Sequence, residues 1–204
     1  MSYRTKFSVV VAALALSGAA LAQAPAAQVV RLRGNIVSLN GDTLVVHRNS
    51  GDTVSVALAP NVTVGAVKNI KLSDIKPGSF IGTAAITGQD GKMTTTEVHV
   101  FAESARGTGE GHRPFDLGPN STMTNANVDS VVQSSNGREL TLSYKGGTNT
   151  ITVPANVPVV AFISADRKDL TPGKKVIVTA TPAAGGTFTT QRILVEKDGV
   201  APPM

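Results

Sequence analysis

The 204-residue chain contains no cysteine and no tryptophan, and only two tyrosines and six phenylalanines. Without thiols it has no disulfide staple, no thiolate metal site and no cysteine nucleophile. Its stability has to come from the burial of aliphatic side chains, which small single domains manage with difficulty. The shortage of aromatics also removes the stacking platform that holds single-stranded nucleic acid. Charge is sparse and unclustered. Once Arg4 and Lys6 are set apart with the leading segment, 17 basic face 14 acidic side chains, a net charge of +3. They are spread evenly rather than gathered in a basic stripe, so nucleic acid is not an expected partner.

Long apolar runs are absent as well, with one exception. Arg4 and Lys6 precede the run Val9–Leu16, which leads to Ala20-Leu21-Ala22 and Gln23. A basic start, a short apolar stretch and an A-x-A site read as a secretory signal peptide over residues 1–22, cleaved after Ala22. The run is too short to be a bilayer span, and no cysteine follows it to carry a lipid. The mature protein is expected to be periplasmic or secreted, with no transmembrane segment after cleavage.

What the sequence does contain is one pattern written twice. Residues from about Arg31 to Phe101 reappear, with drift, from about Asn127 to Glu196. Asn61-Val62 matches Asn156-Val157, and Asp74-Ile75-Lys76-Pro77-Gly78 matches Asp169-Leu170-Thr171-Pro172-Gly173; both pairs share an offset of 95 residues. A common offset across distant anchors reads as a tandem duplication.

Within each copy the apolar residues alternate as in half-buried strands. Leu44 and Val46 share a face, as do Val54, Val56 and Leu58 beyond the Asn49-Ser50-Gly51-Asp52 turn. In the second copy Leu140, Leu142 and Tyr144 form one row before Lys145-Gly146-Gly147 turns the chain. Strands are expected near 31–39, 43–48, 53–58, 80–87 and 94–101, with one helical turn or ordered loop between the third and fourth. Three strands, a short helical connection and two strands is the order of an OB-type barrel. The expected fold is all-β: two tandem small OB-like antiparallel β-barrels, over residues 23–101 and 128–204, joined by an ordered linker over 102–127.

Gly34-x-Ile36, the paired hairpins and Leu72-Ser73-Asp74-Ile75-Lys76-Pro77-Gly78 resemble a bacterial secreted OB-like domain of unknown function. The second copy has Asp129 in place of Gly34 but keeps the Asp-Leu-x-Pro-Gly core. Gly109 to Leu117, Ser121 to Asn125 and the terminal Lys197-Asp198-Gly199 with Pro202-Pro203 are similar to an exported proteobacterial family with tandem OB-like domains and no established activity. Its members are sometimes labelled metal-transport permeases. That label does not transfer to a chain without transmembrane helices.

Candidate chemistry is thin. His47, His99 and His112 have no ligand spacing and no thiolates to complete a tetrahedral site, and no calcium-loop pattern is present. No metal or other cofactor is expected. Gly107-Thr108-Gly109-Glu110-Gly111 runs into Arg113-Pro114-Phe115 rather than into a helix, so it is not a phosphate cradle. The serines and threonines mostly fall on exposed strand rows. No Gly-x-Ser-x-Gly elbow or other catalytic constellation stands out, so no enzyme is expected.

The linker is the segment with chemistry of its own. His112, Arg113, Phe115 and Asp116 combine apolar, basic and acidic groups, and long loops of this kind are often functional. Two readings stand: a strap that packs Phe115 into the groove between barrels, or an interaction site made by these four residues. The expected function is an exported, non-catalytic binding or interaction module of the bacterial cell envelope, its partner an envelope protein or a small ligand. The alternative is a periplasmic solute- or metal-handling accessory protein.

Overall fold

The computed structural model describes residues 28–134 and 137–203. The signal segment 1–22 and its cleavage site lie outside the described residues, as does Asn136 of the second Asn-Gly turn. Among the described residues, twelve strands carry the fold. The first half provides β1 (Val30–Asn40), β2 (Thr43–Arg48), β3 (Thr53–Asn69), β4 (Phe80–Thr87) and β5 (Met93–Val100). A short β6 (Gly111–Pro114) follows. The second half provides β7 (Ser121–Ser134), β8 (Gly137–Tyr144), β9 (Gly147–Pro154), β10 (Val159–Ser164), β11 (Lys175–Pro182) and β12 (Phe188–Val195). Among the described residues no helix is long and apolar enough to cross a membrane.

The chain is all-β, and it closes a five-stranded barrel. β1 pairs β2, β2 pairs β3, β3 runs parallel to β12, β12 pairs β11, and β11 returns to β1. The other strands trace a second circuit of pairings: β7 to β8, β8 to β9, β9 parallel to β5, β5 to β4, and β4 to β7. Antiparallel β3–β10 and parallel β10–β5 pairing tie the two together.

Each circuit draws on both halves of the chain, and this corrects the expected domain boundaries. The packing units are not 23–101 and 128–204. Leu32, Leu44 and Val56 of β1–β3 share a core with Val178 and Ile193 of β11 and β12. Ile81 and Val98 of β4 and β5 share the other with Val128, Leu140 and Ile151 of β7–β9. The strand register follows the same pattern. Val67 pairs with Phe162, its counterpart at the 95-residue offset, so β3 and β10 cross about a local pseudo-two-fold axis. The physical cause is the length of β3. Its 17 residues extend about 55 Å at strand rise, too far for one small barrel. Its end crosses to the second circuit and carries β4 and β5 with it.

The two connections after the crossing strands show what the Asp-x-x-Pro-Gly motif does. Asp74 Oδ2 accepts from the Lys71 N–H (3.1 Å), and Asp169 Oδ2 from the Asp166 N–H (2.8 Å). Each closes a 3-10 turn, Leu72–Asp74 or Arg167–Asp169. Gly78 and Gly173 take φ of +88° and +86°, which only glycine adopts without strain. Between them Ile75 plugs the second core and Leu170 the first.

Linker boundaries also shift. Residues 121–127 belong to β7 and pair along β4, Ser121 with Ile86 through Asn127 with Phe80. The rest forms a strap: the 3-10 turn Glu103–Ala105, then β6 against β7. Arg106 pins it by ion-pairing Glu103 and donating to Asn127 Oδ1 and to the Gly78 carbonyl.

Candidate functional site

The strap crosses the junction of the two circuits, and there the few aromatics gather. Phe80, Phe101, Phe162 and His99 form a cluster with ring centroids 5.1–5.3 Å apart. His99 on β5 is only 4 % exposed, with the Phe101 and Phe162 rings edge-on to its imidazole. Its imidazole lies over Gly82, where a Cβ would come within 2.0 Å of Nε2. Glu97, on the same face, is 1 % exposed; neither carboxylate oxygen has a hydrogen-bond partner, and His99 Nδ1 is 3.7 Å away.

Beside this cluster is a cavity of about 180 Å³. Its apolar walls are Phe101, Phe162, Met123 and Leu194, and Thr108, Gly109 and Asn125 line it from the strap and β7. Three arginines line it from separate elements: Arg31 on β1, Arg113 on β6 and Arg192 on β12. Arg31 is 3.9 Å from the Asp116 carboxylate and stacks over Phe115 at 4.8 Å. Arg113 donates to the Gly109 carbonyl (2.8 Å), and Arg192 lies over the Phe162 ring at 6.0 Å. Among the described residues, neither Arg113 nor Arg192 has a carboxylate within ion-pair distance. Burial, and then the neighbouring charge of Arg31, holds the Arg113 pKa below its usual value.

The four linker residues separate. Arg113 lines the cavity. Phe115, half-buried, lies under Arg31 and Arg33 (4.8 and 5.9 Å), while Asp116 takes two hydrogen bonds from Arg33 (2.8 and 3.0 Å). Burial pushes the Asp116 carboxyl up, but the Arg33 hydrogen bonds and the charges of Arg33 and Arg31 outweigh it and hold it below the usual range. His112 goes elsewhere. It stacks on Tyr144 at 6.1 Å, and its Nδ1 accepts from Asn149 Nδ2 (3.0 Å) and hydrogen-bonds Thr124 Oγ1 (2.8 Å). Phe115 and Asp116 thus fasten to β1 the segment that carries Arg113.

Sequence reasoning missed Arg31 and Arg192, which belong to the cavity. In their own strands they read as ordinary outward-facing charges, and only the crossing of the halves brings them to one place. The threonines also departed from expectation: Thr83, Thr95, Thr124 and Thr190 are buried, not exposed. No three histidine, aspartate or glutamate side chains group as metal ligands among the described residues. Comparison with protein-family models, with curated proteins and with solved structures returns no match.

Proposed function

We propose that this chain is an exported, non-catalytic binding module of the bacterial cell envelope that takes a small solute at the junction of two OB-like barrels. The order of each circuit, first strand to second to third, then fifth to fourth and back, supports the OB-like reading. The two halves are then products of one duplication, akin to the exported proteobacterial family that the motifs resemble. One observation carries the functional reading: a concave cavity in which apolar walls meet convergent polar and basic side chains, as ligand sites combine them, is built by both circuits and the strap together.

A thermal-shift panel on the chain beginning at Gln23, stripped with chelator, tests this. Binding to the folded state raises the melting point by mass action, by about 2.7 kcal/mol at a hundredfold excess over Kd. A small solute is expected to give a saturable rise. Thr108→Trp, which crowds the cavity from its exposed rim, is expected to abolish it. A rise with divalent metals alone would replace this reading with metal handling. A flat panel would replace it with a protein partner.

A further inference from the structure

We propose that the junction cavity binds a small oxyanion, a carboxylate or phosphate group, held by Arg31, Arg113 and Arg192. This rests on the binding-module reading above and names its ligand class.

The first argument is charge. Three arginines line one cavity of about 180 Å³ at the edge of an apolar cluster, and the charge of Arg31 is felt by Arg113. Like charges close together raise the free energy of the folded state unless counter-charge is supplied, and the partly desolvated setting strengthens the effect. For Arg31 the counter-charge is Asp116. For Arg113 and Arg192 the described residues supply none. Glu97 does not offset them: it is not among the lining residues, and among the described residues its ion-pair contact is to His99, not to an arginine. The lowered pKa of Arg113 has the same origin, since burial and Arg31 both disfavour its charge. An oxyanion would relieve both effects.

The second argument is presentation. Guanidinium groups bind planar carboxylates and phosphates through parallel N–H donors, and Arg is favoured over Lys where that geometry matters. Here each Arg is held from behind. Arg31 lies over Phe115, itself fastened by the Asp116–Arg33 pair; Arg113 is tied to Gly109; Arg192 rests on Phe162. Side chains ordered in advance lose less entropy on binding. The Phe101 and Phe162 rings in the wall can take an apolar or aromatic body attached to the anionic group.

Calorimetric titration separates the outcomes, with inorganic phosphate, benzoate and the neutral isostere benzamide as probes. Benzoate or phosphate is expected to bind, with at least a tenfold preference for benzoate over benzamide and with affinity falling as salt rises. Arg113→Gln and Arg192→Gln should each weaken binding at least tenfold. Lys92→Gln, which removes one distant surface charge, should leave it unchanged. Tighter binding of benzoate marks an organic carboxylate as the ligand; tighter binding of phosphate marks a phosphate group. Equal binding of benzoate and benzamide, or unchanged affinity in both Arg variants, overturns the oxyanion class but leaves a solute site standing. Absence of heat with all three probes, together with a flat thermal-shift panel, overturns the small-solute reading itself.

Discussion

Thr95 and Thr190 occupy equivalent places 95 residues apart, and each stitches the same irregularity. The ladder of β4 with β5 slips between Ala84 and Ala85, and that of β11 with β12 between Thr179 and Ala180. Such a bulge leaves backbone groups unpaired. Thr95 Oγ1 hydrogen-bonds the carbonyls of Ala84 and Glu97, both at 2.7 Å. Thr190 Oγ1 does the same for Thr179 (2.6 Å) and Arg192 (3.0 Å). Thr95→Val keeps the shape and removes the hydroxyl, leaving the Glu97 carbonyl to Thr83 Oγ1 (3.0 Å), the Ala84 carbonyl to Thr96 Oγ1 (3.2 Å), and the buried Thr83 hydroxyl without its Thr95 partner. Chemical denaturation should show a loss of about 1–3 kcal/mol; an unchanged midpoint would mean these other donors suffice. In the sequence these threonines are indistinguishable from those of exposed rows, because the slip that buries them depends on the neighbouring strand.

The strap is the element whose role was half legible. Its mixed composition marked it out, and Phe115 and Asp116 do share partners, the Arg31 and Arg33 side chains of β1 that only the fold supplies. Its fastening should be pH-dependent. The Asp116 carboxyl is held below its unfolded value, so its contribution is fully present above the ordinary carboxylate range, near about 3.9. It is lost as pH falls through the lowered folded value. Melting curves of the native chain and of Asp116→Asn should differ at neutral pH and converge in acid, below about pH 4. A difference that persists unchanged to pH 2 would assign the effect of Asp116→Asn to packing rather than charge. Asp52, drawn to about 2 by hydrogen bonds from Arg48 and Ser50, adds acid sensitivity of the same sign at the β2–β3 turn.

At the scale of the whole molecule, the two halves are interleaved rather than set side by side. Neither half closes a barrel within itself, because β1–β3 and β4–β5 face different cores. Asn35 on β1 pairs with Lys175 on β11, and in tandem barrels these residues would belong to separate units. The chain has no native cysteine, so Asn35→Cys with Lys175→Cys gives an unambiguous test. Directly opposed strand residues have Cα separations compatible with a disulfide. Oxidation of the double variant should produce an intrachain bond in the monomer, read by mass spectrometry and gel mobility. Exclusive cross-linking between molecules would overturn the interleaved arrangement in favour of exchange between chains.

Most strand positions and the connection closed by Pro77-Gly78 were legible because they depend on neighbours in the chain, above all the two-residue alternation of Leu44, Val46, Leu140 and Leu142; the third strand, expected over 53–58, instead runs from Thr53 to Asn69. Partner choice was not legible. The inner rows of the two halves are chemically alike, and apolar burial is non-directional, so either set of first strands suits either set of last strands. The uninterrupted run of β3 past Asn61 and its pairing with β10 decide between them. That decision also creates the junction, and with it the cavity. Arg31, Arg113 and Arg192 come from the first half, the strap and the second half, and no local rule of sequence relates them. The sequence by itself determined the elements and their order; the crossing of long strands, a tertiary event, decided which residues meet.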